Sequence, residues 1–472
     1  MEHSLQASNY RPERKIDEIA DFMADAVRPA DFPDHVLRFR NDRAAATVGL
    51  ESLDDASWID HFGRFQPLPQ AQPEPLALRY HGHQFRVYNP DLGDGRGFLF
   101  AQLREDGDAG GRLLDLGTKG SGLTPYSRTA DGRLTLKGAV REILATEMLE
   151  ALGVTTSRSF SVIETGEALV RGDEPSPTRS AVLVRLSHGH IRIGSFQRLA
   201  YRGERDHLVR LIDYCLHHLL AREPGPVPAL TLLDAVVERT ADLAASYMIA
   251  GFVHGVLNSD NIAITAESFD YGPWRFAPRW QPGFTAAYFD QSGLYAFGRQ
   301  AEAIHWDVAQ LAQSLVELAE TDALVTSLRR FPEIYVARMS ERFLWRLGHD
   351  APDGESAQAF VIAAIGALQQ SDVAIDRFFF DWRHGPRADG PYAGTPWETV
   401  RDAMAPLIPR PGALDHDYWR GGAPCSMHID EVEAIWSAIA ERDDWTPLAA
   451  KVDAVRAMGA AHGAPPPAPG RI

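Results

Sequence analysis

The chain has 472 residues, 45% hydrophobic and 24% charged, with a net charge of −17. That length exceeds one small core and suits a two-lobed unit with extensions. The acid excess disfavours a dedicated nucleic-acid binder, which needs clustered Lys and Arg, yet leaves room for a local basic pocket. The two cysteines, Cys215 and Cys425, form no CxxC motif. They read as inert thiols of a reducing compartment. No apolar h-region opens the chain and no apolar run approaches the ~18 residues of a membrane span, so a cytoplasmic protein with no membrane partner is expected.

In chain order, the first dozen residues are polar and read as mobile. From about residue 78 to 200 the pattern is strand-rich, with glycine turns. Phe98 to Leu103 is a short apolar run behind the turn Gly93-Asp94-Gly95-Arg96-Gly97, as expected of a turn feeding a strand. A helix is predicted over Lys137 to Leu152, from the helical spacing of Val140, Ile143, Leu144, Met148, Leu149 and Leu152, with Gly153 as its stop. Ser159 to Glu164 and Ala181 to Leu186 read as strands. Helical patterns follow over 207–221, 230–248, 303–319 and 357–369. The Pro-rich stretch 463–470 can hold neither helix nor central strand and reads as a disordered tail. The expectation is an α+β protein in which a β-rich lobe precedes a helical lobe, with a site in the cleft between them.

Several stretches carry chemistry. The glycine turn 93–97 can bring backbone N–H groups and Arg96 to phosphates, although Asp-Gly turns between strands are common. Lys119 stands in Gly117-Thr118-Lys119-Gly120, a lone lysine among glycines; the bland alternative is an exposed turn. No GxxxxGK[ST] pattern exists, which disfavours P-loop chemistry. Glu142 lies off the centre of its helix's apolar stripe, so helical phase alone turns it to solvent. Arg185 and Arg192 suit phosphate recognition and surface ion pairs equally. The strongest group is His254, Asp260, Asn261 and Asp270, a sparse set of hard-oxygen groups in an apolar region, as a nucleotide with a divalent cation requires. Its bland alternative is a polar loop capping a buried helix. His81 and His83 lack further ligands at zinc spacing.

These blocks together resemble the SelO (YdiU) family, selenoprotein O and its bacterial relatives. The matching stretches are Gly82 to Phe85, Leu92 to Arg96, Lys119-Gly120, Thr124 to Arg128, Asp131 to Arg133, Arg141-Glu142, Gly255 to Asn261 and Asp270 to Pro273. They run in family order over about residues 80 to 300; beyond about 320 the likeness is weak. The resemblance implies a protein-kinase-like fold that binds ATP in a flipped orientation and transfers AMP to Ser, Thr or Tyr hydroxyls of proteins. It implies that Gly93, Gly95, Arg96, Asp131 and Gly132 line the nucleotide, and that Lys119, paired with Glu142, contacts phosphates. Arg185 and Arg192 would contact phosphate or base, and Asp260 would accept the proton. Asn261 and Asp270 would hold Mg²⁺ or Mn²⁺, with Asp270 also near ATP. The implied layout is an N-terminal extension (1–77), an N-lobe (78–204), a C-lobe (205–400) and a C-terminal helical extension with the Pro-rich tail (401–472). The chain departs from the family pattern at Gly293-Leu294-Tyr295, at Trp306-Asp307 and in its Pro-rich end. Rival readings on the same scaffold are γ-phosphoryl transfer and a nucleotide-binding regulatory pseudokinase.

Overall fold

A computed structural model of the protein describes residues 9–106, 111–172 and 174–469. The first eight residues, part of the stretch read as mobile, and Gly470 of the Pro-rich end lie outside the described residues. The architecture is mixed α/β, built on one large antiparallel sheet and many helices.

The sheet contains β1 (Pro12–Glu13), β2 (Ala24–Ala26), β3 (Val36–Arg40) and β4 (Leu76–Leu78). After a separate hairpin of β5 (Gly82–Gln84) and β6 (Val87–Asn89) come β7 (Leu99–Arg104), β8 (Leu113–Lys119), β9 (Leu134–Thr135), β10 (Arg158–Leu169) and β11 (Thr178–Ser187). The main path runs β2-β4-β7-β8-β11-β10-β3, with β1 paired to β7 and β9 to β11. The residues before 78 are thus built into the same sheet.

The period of two decides where side chains go. Ala181 and Leu183 face the core that also holds Ile143 and Leu144, while Val182 and Val184 face a second core with Trp58, Phe62 and Phe160. Covering both faces explains why β8 is buried along its whole length.

Helix α1 (Leu136–Ala151) follows β9, and the Thr135 side chain caps it by accepting from the Gly138 N–H at 3.1 Å. The helical region comprises α2 (Ile193–Tyr201), the 23-residue α3 (Pro228–Ala250), α4 (Gln300–Ser314), α5 (Phe331–Leu347) and α6 (Gly354–Gln369), with shorter helices between. Its own core gathers Phe343, Phe360, Phe378 and Trp382. Gly251, at φ +70°, ends α3 in the left-handed conformation that glycine adopts without strain. The last helices, α7 (Ile429–Arg442) and α8 (Thr446–His462), fold back onto α1. The Pro-rich end is not free chain through residue 469, since the Pro467 carbonyl accepts from Arg338 Nη2 at 2.8 Å. Cys215 and Cys425 are both free thiols. No helix among the described residues is long and apolar enough to cross a membrane.

Candidate active site

A cleft of about 380 Å³ opens between the glycine turn, β8, β11 and the loop that follows α3. Among the residues singled out from sequence, Gly93, Gly95, Arg96, Lys119, Arg185, Arg192, Asp260, Asn261 and Asp270 all line it.

The glycine turn approaches its neighbours too closely for side chains. A Cβ at Gly93 would fall 2.3 Å from the Tyr126 ring, and one at Gly97 would fall 1.9 Å from the Thr118 carbonyl. The turn is anchored by Asp94, whose Oδ2 accepts from the Leu78 N–H at 3.0 Å and whose Oδ1 accepts from Arg192 Nη2 at 3.2 Å. Arg192 also donates through Nη1 to the Asp260 carbonyl at 3.0 Å. One guanidinium therefore ties the glycine turn to the loop carrying Asp260. It lies over the Tyr80 and Phe269 rings at 4.3 Å and 4.9 Å.

Lys119 ends β8 and is buried, with its ammonium between two carboxylates. It pairs with Glu142 of α1 and donates to Asp270 Oδ1 at 2.5 Å. Glu142 is buried, against the solvent-facing position that helical phase alone predicts, because α1 is enclosed by the sheet on one side and by α7 and α8 on another. Asp270 stands at φ +63°. Burial pushes its carboxyl up, but Lys119, Arg185, Arg96 and Arg192 together hold it well below the usual range.

Asp260 sits on a short 3₁₀ turn, Ser259–Asn261. The β5–β6 hairpin covers it: a Cβ at Gly82 would stand 2.9 Å from Asp260 Oδ1. That hairpin is tied to the same turn by the His83 N–H donating to Ser259 Oγ at 2.7 Å and the Phe85 N–H donating to Asn258 Oδ1 at 3.1 Å. Phe85 and Arg86 adopt φ of +51° and +62°, a strained tip for residues other than glycine. Burial raises the Asp260 carboxyl to about 6, and Arg192 opposes the rise.

His254 is buried, its Nε2–H donating to the Phe269 carbonyl at 3.0 Å, and burial keeps its ring below the usual range. It braces the backbone next to Asp270. Asn261 Nδ2 donates to the Val256 carbonyl at 3.0 Å, which leaves the amide oxygen for a ligand. His81 and His83 have other partners, the Tyr88 hydroxyl and Gln197.

Asp131 and Gly132 do not reach the cleft wall, contrary to the sequence-based expectation. Asp131 is engaged by Arg171 at 2.8 Å, and Gly132, at φ +71°, lies against the Gly122 backbone. The loop they shape brings Arg128 and Ala130 to the wall instead. Sequence reasoning missed Asp115, Gln84 and His190. Gln84 and His190 line the cleft, and Asp115 lies behind His190. The one available signal was an aspartate inside the apolar run of β8.

Comparison with known proteins places the chain in a class. A family model described as protein adenylyltransferase SelO matches residues 5–388, well past the motif-bearing stretch. A protein nucleotidyltransferase YdiU from a Synechocystis species is 40% identical over 467 residues, covering 93% of this chain and 96% of its own. The protein of that name from Gloeobacter violaceus is 42% identical, covering 91% and 92%, and that from Trichodesmium erythraeum is 43% identical, covering 81% of each chain. The protein is a nucleotidyltransferase. The chain belongs to the SelO family of protein adenylyltransferases.

Proposed function

We propose that the cleft binds ATP with its phosphates among Arg96, Lys119, Arg185 and Arg192, and that it passes AMP to a Ser, Thr or Tyr hydroxyl of another protein. Unspent hydrogen-bonding capacity carries this reading. Arg185 Nε and Nη1, Arg192 Nε and Asp260 Oδ1 are buried with no hydrogen-bond partner, all around one cleft. Buried donors of positive charge call for an anion, and a lone buried carboxylate oxygen calls for a proton donor.

The chemistry follows from those groups. The acceptor hydroxyl oxygen attacks the α-phosphorus, the bond from that phosphorus to the β-phosphate oxygen breaks, and pyrophosphate leaves. Asp260, raised by burial, takes the hydroxyl proton. The guanidinium groups and Lys119 balance the charge that develops on the leaving pyrophosphate. Glu142 holds the Lys119 ammonium in place, and Gly93 and Gly95 let the turn approach the nucleotide.

Asn261 and Asp270 offer oxygens that suit Mg²⁺ or Mn²⁺ shared with phosphate. No group of three or more His, Cys, Asp or Glu among the described residues could form a protein-only cage, which fits a cation completed by nucleotide and water. A cation held there supplies further neutralisation of phosphate oxygens. In this reading residues 78–204, together with the earlier strands that share their sheet, and residues 205–400 act as the two lobes of a kinase-like fold, with 401–472 as an extension. Tandem mass spectrometry of an acceptor protein incubated with ATP tests the proposal. An adenylyl ester on a hydroxyl side chain is expected, and a phosphoryl ester alone contradicts it.

A further inference from the structure

One buried ionisable pair in the cleft wall has no part in the reading above. His190 and Asp115 are 6% and 3% exposed, and His190 Nδ1 lies 3.1 Å from Asp115 Oδ2. The other carboxylate oxygen accepts from Gln102 Nε2 at 2.8 Å, and Gln102 Nε2 also reaches the Tyr214 hydroxyl at 3.2 Å. Gln102 is itself fixed by the Ile16 N–H, which donates to its Oε1 at 2.7 Å. Asp115 is thus held on both oxygens. No Lys or Arg forms an ion pair with it among the described residues, and the His190 ring is the one basic side chain that contacts it there.

That arrangement leaves His190 Nε2 buried, without a hydrogen-bond partner, on the wall of the cleft. The ring lies over β8 at Gly117, where a Cβ would stand 2.4 Å from Nε2. Only glycine admits the ring there. Arg185 is the cross-strand partner of Gly117, so its side chain leaves the sheet on the same face. The charged and titratable groups around the ring are Asp115 and Lys119 from β8, Arg185 from β11, and Arg192 from the loop that carries His190. Asp94 and Arg96 belong to the glycine turn, Arg128 to the loop before β9, and Asp260 and Asp270 to the loop after α3, while Tyr214 lies behind Asp115.

We propose that His190 is a proton-linked phosphate ligand: it takes up a proton as the nucleotide enters, and its Nε2–H then donates to a phosphate oxygen while Asp115 holds Nδ1–H. The inference rests on the reading of the cleft as an ATP site. In the empty cleft, Arg185, Arg192 and Lys119 oppose a further positive charge, although Asp115 favours it. A phosphate removes that opposition and adds an acceptor. A neutral ring would present a lone pair instead, but the surrounding side chains are mostly donors and select an anion. Release of pyrophosphate then returns the proton.

Calorimetric titration of the full chain with ATP, in buffers of different ionisation enthalpy at about pH 8, where phosphate groups are already fully ionised, reads the linked protons. Uptake approaching about one proton per ATP is expected, falling to near zero in His190→Gln and Asp115→Asn, both of which still bind ATP. Uptake unchanged in His190→Gln overturns the proposal, as does wild-type binding without uptake. The ¹⁵N shifts of the His190 ring provide a check that needs no variant. A change to the imidazolium pattern on adding ATP supports the proposal. A ring that stays neutral overturns it and makes the side chain a reader of the base. If the wild-type chain binds no ATP, the reading of the cleft fails, and this inference with it.

Discussion

Lys119 and Glu142 form a buried ion pair that joins the end of β8 to helix α1, with the ammonium turned also to Asp270. A lysine held from both sides is pre-aimed at the cleft and loses little freedom when an anion arrives. Glu142→Gln removes the charge but not the volume. Adenylyl transfer should fall at least about tenfold while the fold persists, and Lys119→Ala should cost roughly 10²–10³-fold, as for loss of one preorganised charge. Steady-state transfer rates and circular dichroism on both variants check this. Unchanged transfer in Glu142→Gln would make the pair structural only.

Asp260 lines the cleft with a buried carboxylate oxygen that has no hydrogen-bond partner. Asp260→Asn keeps its shape but cannot accept a proton. Transfer should fall by about 10²–10⁴-fold with ATP affinity changed little. Fluorescence titration with ATP beside single-turnover transfer separates the two effects. Equal turnover in the variant would remove Asp260 from the mechanism.

The same carboxyl makes the rate depend on pH. Burial raises Asp260 to about 6, so the base form is lost as pH falls through that value, and the rate falls with it. A divalent cation nearby favours the carboxylate and moves this limb to lower pH. Transfer rates across the range at several cation concentrations test the sign. A rate that rises on acidification contradicts it.

Asp270 is held in its charged form, burial being overcome by Lys119 and three arginines. Asp270→Ala should weaken cation-dependent ATP binding more than binding measured in chelator, and Asn261→Ala should do so to a smaller extent. Calorimetry with and without Mg²⁺ gives the comparison. Equal losses in both conditions would assign Asp270 to phosphate positioning alone.

Much of this was legible in the sequence where local pattern and burial agree. The strands at Phe98 to Leu103 and Ala181 to Leu186 and the helix at Lys137 to Leu152 appear within a few residues of their predicted bounds, because each has an apolar core side that sets its period. Glu142 failed that logic because α1 is buried nearly all round, so phase no longer separates inside from outside. For the Asp115–His190 pair the sequence marks only an aspartate inside an apolar run, since the two residues lie 75 positions apart and their pairing arises only in the folded sheet. The strands before residue 41 are two to five residues long, too short for alternation to register. Asp131 and Gly132 fit a turn motif, yet the cleft is reached by Arg128 and Ala130 of the same loop.

The central claim is that AMP, not phosphate, leaves the cleft on a protein hydroxyl. The most direct measurement incubates the full chain and a lysate with α-labelled or γ-labelled ATP in Mg²⁺, with Asp260→Ala as control. The account predicts protein-bound label from the α position only, lost in the variant. Label from the γ position only would contradict it and make the cleft a kinase site.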